Sequence, residues 1–318
     1  MSRATRWFDV PERGSARAMW LAGMIYRYIG RTALRLLLYP IISYFYLTAR
    51  DARRASLEYL QRLHADSNEA GPLPGQAAVF RHMLSFGINT LDRVGFWLGR
   101  RDDFTLRIHG WDRLERVATE GQGTLLIGAH IGSFDVMRLA ADRHSPLRVH
   151  FLTETSNAPQ INALLQTLAP TGEESKVSVL PVHSGQIGHA LRIRRHIKRG
   201  EVVAMLADRC HPHERERSTE VDFLGARASL PTGPISLAGT LLCPVLFMVA
   251  IRTGPQRYDI HVEEFAERVT LPRGQRAEAI QKYCQQYADR LAAYCHEAPD
   301  QWFNFYDFWS RKGPHENR

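Results

Sequence analysis

Long hydrophobic runs are missing from this 318-residue chain, and so are paired cysteines, a serine-esterase elbow and internal repeats. Within the N-terminal apolar region the longest uncharged stretch, Leu36 to Ala49, has 14 residues, whereas a bilayer-spanning helix needs about 20. A clean transmembrane span is therefore not expected. Nor is a signal peptide: Arg27, Arg31 and Arg35 interrupt the apolar stretch and no small-residue cleavage site follows. Cys210, Cys243, Cys284 and Cys295 are widely spaced with no Cys-x-x-Cys pair, a pattern of reduced thiols rather than a disulfide framework. No Gly-x-Ser-x-Gly segment occurs, which argues against a serine esterase.

Acidic residues are scarce at one end only. Residues 1–60 carry ten arginines against four acids, so +6 of the net +8 belongs to this segment. A uniformly basic nucleic-acid binder is excluded by that distribution, and no nucleic-acid partner is expected. From Met19 to Leu47 the chain is apolar and aromatic, broken by Pro40 and by Arg27, Arg31 and Arg35, which recur every four residues. That spacing puts the three arginines on one helical face. The pattern fits a helix lying in a membrane interface, apolar side down and arginines near lipid phosphates. Tyr39, Tyr44, Phe45 and Tyr46 suit the headgroup level. Residues 1–70 are read as a membrane-associated helical segment, and 71–318 as one catalytic domain, with the turn-rich Asn68–Gly75 between them.

Two further helices are expected at Ala52–His64 and Gln76–Leu98. From Phe104 onward, short apolar runs alternate with helical patterns. The candidate strands are Thr105–His109, Thr124–Gly128, Arg148–Leu152, Val177–Val182, Val202–Ala207, Pro244–Ile251 and Tyr258–Val262. Helical patterns lie near Trp111–Thr119, Ser133–Ala141, Pro159–Leu168, Gln186–Arg199 and Pro234–Leu242, with a long helix near Gly274–His296. Such alternation predicts an α/β fold, a layered and largely parallel sheet flanked by helices. Sheets of this kind put their sites at the C-terminal ends of strands.

One of those ends carries chemistry. In Thr124-Leu-Leu-Ile-Gly-Ala-His130-Ile-Gly-Ser-Phe-Asp135, His130 falls at a strand-to-helix turn. Gly132 permits a tight backbone turn, Ser133 is a candidate N-cap, and Asp135 sits in the first helical turn. A carboxylate that accepts one imidazole N–H leaves the other nitrogen free as a general base. His130 is therefore the candidate base and Asp135 its orienting acid. Cys210, His211 and His213 crowd near Asp208, but no second cluster completes four ligands, so no metal is assigned.

The run HIGSFD after an apolar strand resembles the His-x4-Asp/Glu block of the glycerolipid and lipid A acyltransferase superfamily. Other stretches resemble its late lipid A branch, which adds lauroyl or myristoyl chains from acyl carrier protein. They are Gly110-Trp-Asp-Arg-Leu114, Gly200 through Asp208-Arg209, Val221-Asp-Phe-Leu-Gly225, Leu230-Pro-Thr-Gly-Pro234, Pro244 through Arg252, and Pro299-Asp-Gln-Trp302. Lipid A enzymes usually have Glu where this chain has Asp135, and the aromatic tail Trp302–Trp309 is unlike theirs. The resemblance implies a membrane-bound O-acyltransferase on the cytoplasmic face of a bacterial inner membrane. Its implied donor is an acyl-carrier-protein thioester and its acceptor a lipid hydroxyl, with no cofactor. On that footing Asp208, Arg209, Arg227, Gly132 and Ser133 are candidate substrate contacts. Arg192, Arg195 and Arg199, on one face of a predicted helix, would dock the acidic carrier protein. The competing readings are a lipid ester or thioester hydrolase using the same pair, and a non-catalytic membrane-surface protein.

Overall fold

The computed structural model describes residues 23–67, 71–144, 147–154, 177–182, 187–209 and 217–309. The expected helix at Pro159–Leu168, the cluster of Cys210, His211 and His213, and the arginines before residue 23 lie outside these residues.

Helices α1 (Arg31–Thr48) and α2 (Arg50–Asp66) meet at a 95° bend. Pro40 sits inside α1 without ending it. A proline removes the bond to the carbonyl four residues earlier, and here that carbonyl belongs to Leu36, a solvent-exposed residue. Helix α3 (Gln76–Trp97) packs beneath both. Arg31 turns inward rather than toward a surface. Its Nε and Nη2 reach Oδ1 of the fully buried Asp92 at 3.0 and 2.6 Å, and the Tyr258 hydroxyl donates to Oδ2 at 2.7 Å. Of the three arginines expected at lipid phosphates, only Arg27 and Arg35 remain exposed. Burying a charge in this way holds only because its partner is equally satisfied.

After a short 3₁₀ turn come β1 (Thr105–His109), α4 (Trp111–Thr119), β2 (Thr124–Gly128) and α5 (Phe134–His144). Strands β3 (Val149–Glu154) and β4 (Val177–Val182) lead to α6 (Ile187–Lys198) and β5 (Val202–Leu206). A hairpin, β6 (Ser218–Phe223) and β7 (Ala226–Pro231), precedes α7 (Gly233–Leu241). Strands β8 (Val245–Gly254) and β9 (Arg257–Ala266) and the long α8 (Arg276–Glu297) follow.

Seven strands form one sheet in the order β1-β9-β8-β2-β5-β3-β4. The run from β8 to β4 is parallel, and β9 alone pairs antiparallel with its neighbour β8. Every residue of β2 is buried, as a central strand covered by helices on both faces must be. Apolar side chains of β2, β5 and β8 split between two core clusters, one on each face of the sheet. Tyr59, Leu60 and Leu63 of α2 join the first of these clusters, so α2 packs into the same core as the sheet.

Candidate functional site

Strands β2 and β5 are parallel neighbours in register, Gly128 opposite Leu206. A further backbone bond, Ala207 N–H to the Gly128 carbonyl at 2.9 Å, carries the ladder past the strand ends. The two residues that emerge there are His130 and Asp208. Nδ1 of His130 lies 2.7 Å from Oδ1 of Asp208. Oδ2 accepts the His130 backbone N–H at 3.0 Å and the Trp302 indole N–H at 3.2 Å. Asp208 is 1% exposed, whereas the His130 side chain keeps 31% of its surface open.

The carboxylate that holds the imidazole is thus Asp208 and not Asp135, to which the sequence reading gave that role. Asp135 does occupy the first turn of α5. Its carboxylate faces arginines instead: Nε of Arg93 on Oδ2, with Nη1 of Arg138 4.0 Å from Oδ1. The reason is direction. Asp208 ends the strand beside β2, pointing out of the sheet next to His130, while Asp135 starts a helix whose first turn faces α3 and its Arg93.

Burial opposes charge on both members of the pair. At Asp208, the His130 ring, its hydrogen bonds and Arg209 outweigh burial and hold the carboxyl below its ordinary pKa. At His130, burial and then the charges of Arg209 and Arg93 outweigh the pull of Asp208 and lower the ring's pKa below 6.5. A neutral imidazole beside a carboxylate donates its Nδ1 proton to it, so Nε2 carries the free lone pair. This arrangement can accept a proton from a hydroxyl.

The loop that carries His130 is stitched down on every side. Gly132 has φ +62°, and a Cβ there would lie 1.9 Å from the Ala250 carbonyl oxygen. Only glycine fits both the left-handed backbone and that approach. Ser133 N–H donates to the Ala250 carbonyl at 2.8 Å, and Ser133 Oγ accepts the Val136 N–H at 3.4 Å, the expected cap on α5. The C-terminal segment closes the other side. Gly132 N–H donates to the Gln301 carbonyl and Phe303 N–H to the His130 carbonyl, both at 2.9 Å. The Gln301 amide clamps the backbone of Arg252 at 2.8 Å in both directions. Behind Trp302, buried His82 lies 2.8 Å from Ser56 Oγ and 2.9 Å from the Trp302 carbonyl. Burial holds its pKa down to about 4.

Arg209 donates to the Phe303 carbonyl at 2.9 Å and stands over the Tyr306 ring, beside the pair. Arg227 is elsewhere: it lies across the exposed β6–β7 hairpin, 3.1 Å from Asp222 and 3.9 Å from Glu220. Arg192, Arg195 and Arg199 are exposed on or just beyond α6. Sequence reasoning missed Arg93, Arg138 and the use of Trp302 as a donor to Asp208. Asp208 had one visible signal, a carboxylate closing an apolar strand. Arg93 had none, since 42 residues separate it from Asp135. Residues 75–311 match the sequence family described as bacterial lipid A biosynthesis acyltransferase. No curated protein matches the chain.

Proposed function

The chain belongs to the bacterial lipid A biosynthesis acyltransferase family, and on that premise we propose that it esterifies a hydroxyl of a lipid A-like or other envelope lipid. The donor in this reading is an acyl-carrier-protein thioester, with no cofactor. The observation that carries it is the 2.7 Å contact between His130 Nδ1 and the buried Asp208 carboxylate. Nε2 takes the hydroxyl proton as the acceptor oxygen attacks the thioester carbonyl. The imidazolium formed is stabilised by Asp208 through the Nδ1 proton. The tetrahedral oxyanion then collapses, the carbon–sulfur bond breaks, and His130 returns the proton to the departing thiolate. An ester and a free carrier thiol result. General-base catalysis of this kind is worth ~10²–10⁴-fold.

Arg209 and Arg93 lie close enough to depress the His130 pKa. In this account they hold anionic groups of the substrates, for which arginine's forked donors are suited. Asp135 positions Arg93 and Arg138 for that work, and Gly132 and Ser133 hold the loop that the substrates approach. Arg227, on its exposed hairpin, would meet acceptor phosphates only where the lipid headgroup extends that far. Arg192, Arg195 and Arg199 form the proposed landing face for the carrier protein.

No single helix among the described residues is long and apolar enough to cross a membrane. Helix α1 nevertheless turns Leu36, Tyr44 and Leu47 outward, each more than 60% exposed, where a soluble surface would carry polar groups. This face supports attachment to a membrane by an interfacial helix, which the family reading would put at the cytoplasmic side of an inner membrane. Mass spectrometry of envelope lipids from cells with and without the intact gene tests the reading. One lipid should gain a single ester-linked chain. Unchanged lipids, or release of free fatty acid alone, would refute it.

A further inference from the structure

A second group of titratable side chains gathers at the opposite end of the same sheet. His150 is the second residue of β3, and His196 lies in the last turn of α6. Their rings are 3.9 Å apart, and both address one oxygen of Glu201, at 2.8 Å from His150 Nε2 and 2.5 Å from His196 Nδ1. Glu201 precedes β5 and Asp208 follows it; at about 3.3 Å per residue, roughly 20 Å separates this group from His130. The acyl-transfer site does not use it.

We propose that His150, His196 and Glu201 bind one divalent transition-metal ion of the zinc class. The three ligand atoms lie within 4.8 Å of one another. A tetrahedral zinc with bonds near 2.0–2.1 Å sets its ligands about 3.3 Å apart, within small side-chain rotations of the present spacing. Two imidazoles and one carboxylate favour zinc over magnesium or calcium, which prefer all-oxygen shells. His150 is also oriented as a ligand should be. Its Nδ1 is 2.6 Å from Ser178 Oγ, so a metal on Nε2 leaves Nδ1–H to donate to that hydroxyl. His196 and Glu201 keep 16% and 17% of their side-chain surface open, enough for an ion to reach the site and for water to take the fourth position.

Chelator-treated full-length protein, titrated with zinc against a chromophoric chelator and followed by thermal unfolding, tests this site. One zinc per chain should bind and raise the Tm. His196→Gln and Glu201→Gln should each weaken binding at least tenfold and remove the Tm rise. Ser178→Ala, at an exposed position, should weaken it roughly 10–100-fold. A Cys210→Ser, His211→Gln, His213→Gln variant should bind as the wild type does. Absence of stoichiometric zinc overturns the proposal. So does zinc retained by the His196→Gln, Glu201→Gln double variant, or zinc lost with Cys210, His211 and His213.

Discussion

At the scale of single residues, the decisive question is which imidazole nitrogen carries the proton. The contact from His130 Nδ1 to Asp208 answers it, leaving the Nε2 lone pair free, the base of the proposed reaction. Because burial and the charges of Arg209 and Arg93 lower the His130 pKa, the ring stays unprotonated below the ordinary histidine pKa of about 6.5. The acid limb of the kcat/KM profile should therefore fall below pH 6.5, with activity lost as pH drops through the depressed pKa. Asp208→Asn removes the charge that favours imidazolium and disturbs the tautomer. It should cost ~10²–10⁴-fold in rate and push the acid limb lower still. Asp135→Asn should instead act through Arg93 and Arg138, raising KM while the limb stays in place. Steady-state kinetics across pH separates the two. His82 carries a stability prediction. Its folded pKa is near 4 and its unfolded value about 6.5. Between these the unfolded chain binds a proton that the folded one does not, so stability should decline as pH falls from about 6.5 to 4. Denaturant unfolding at several pH values, compared with His82→Gln, measures it.

Among the elements, the turn that carries His130 depends on its neighbours in β8 and the C-terminal segment. Gly132→Ala forces a Cβ against the Ala250 carbonyl in left-handed backbone, a strain of roughly 1–3 kcal/mol. Thermal unfolding should show the loss, and acyl transfer should fall with it, because His130 is two residues away. The strands that build this turn were readable from sequence. Thr124–Gly128 has the bounds expected from its apolar run, since a strand covered on both faces has little room for polar residues. Thr105–His109, at the sheet edge with its alternate residues exposed, also has its expected bounds. The β6–β7 hairpin was not expected, although Ser218–Phe223 buries only its alternate later residues Val221 and Phe223. Its charged exposed positions hid that short period. His130 was legible because it stands at a strand-to-helix turn after an apolar strand, in the run HIGSFD that resembles the family's His-x4-Asp/Glu block. Its partner was not, because Asp208 lies 78 residues on and meets His130 only once β2 and β5 pair. Asp135, near in sequence, offered a carboxylate at a plausible spacing, but the side chain's direction is set by the packing of α5 on α3.

For the whole molecule, two surfaces tie the site to its surroundings in the proposed function. Charge reversal of Arg192, Arg195 and Arg199 should raise KM for an acyl-carrier-protein donor severalfold and flatten its dependence on salt, since screening acts on exposed charges. Kinetics at two ionic strengths checks this, with a small acyl thioester as the control donor. Replacing Leu36, Tyr44 and Leu47 with serine should reduce sedimentation with anionic vesicles while leaving the fold intact, because these side chains are exposed already. In the proposed function these two surfaces would present a soluble thioester and a membrane-held hydroxyl to one imidazole.

The central claim is that this imidazole, held by Asp208, removes the hydroxyl proton. Its most direct test is single-turnover transfer from an acyl-carrier-protein thioester to a lipid A precursor, comparing wild type, His130→Ala and Asp208→Asn at equal folded concentration. Ester formation should vanish with His130 and drop by at least two orders of magnitude with Asp208. Transfer at the wild-type rate in either variant would contradict the account.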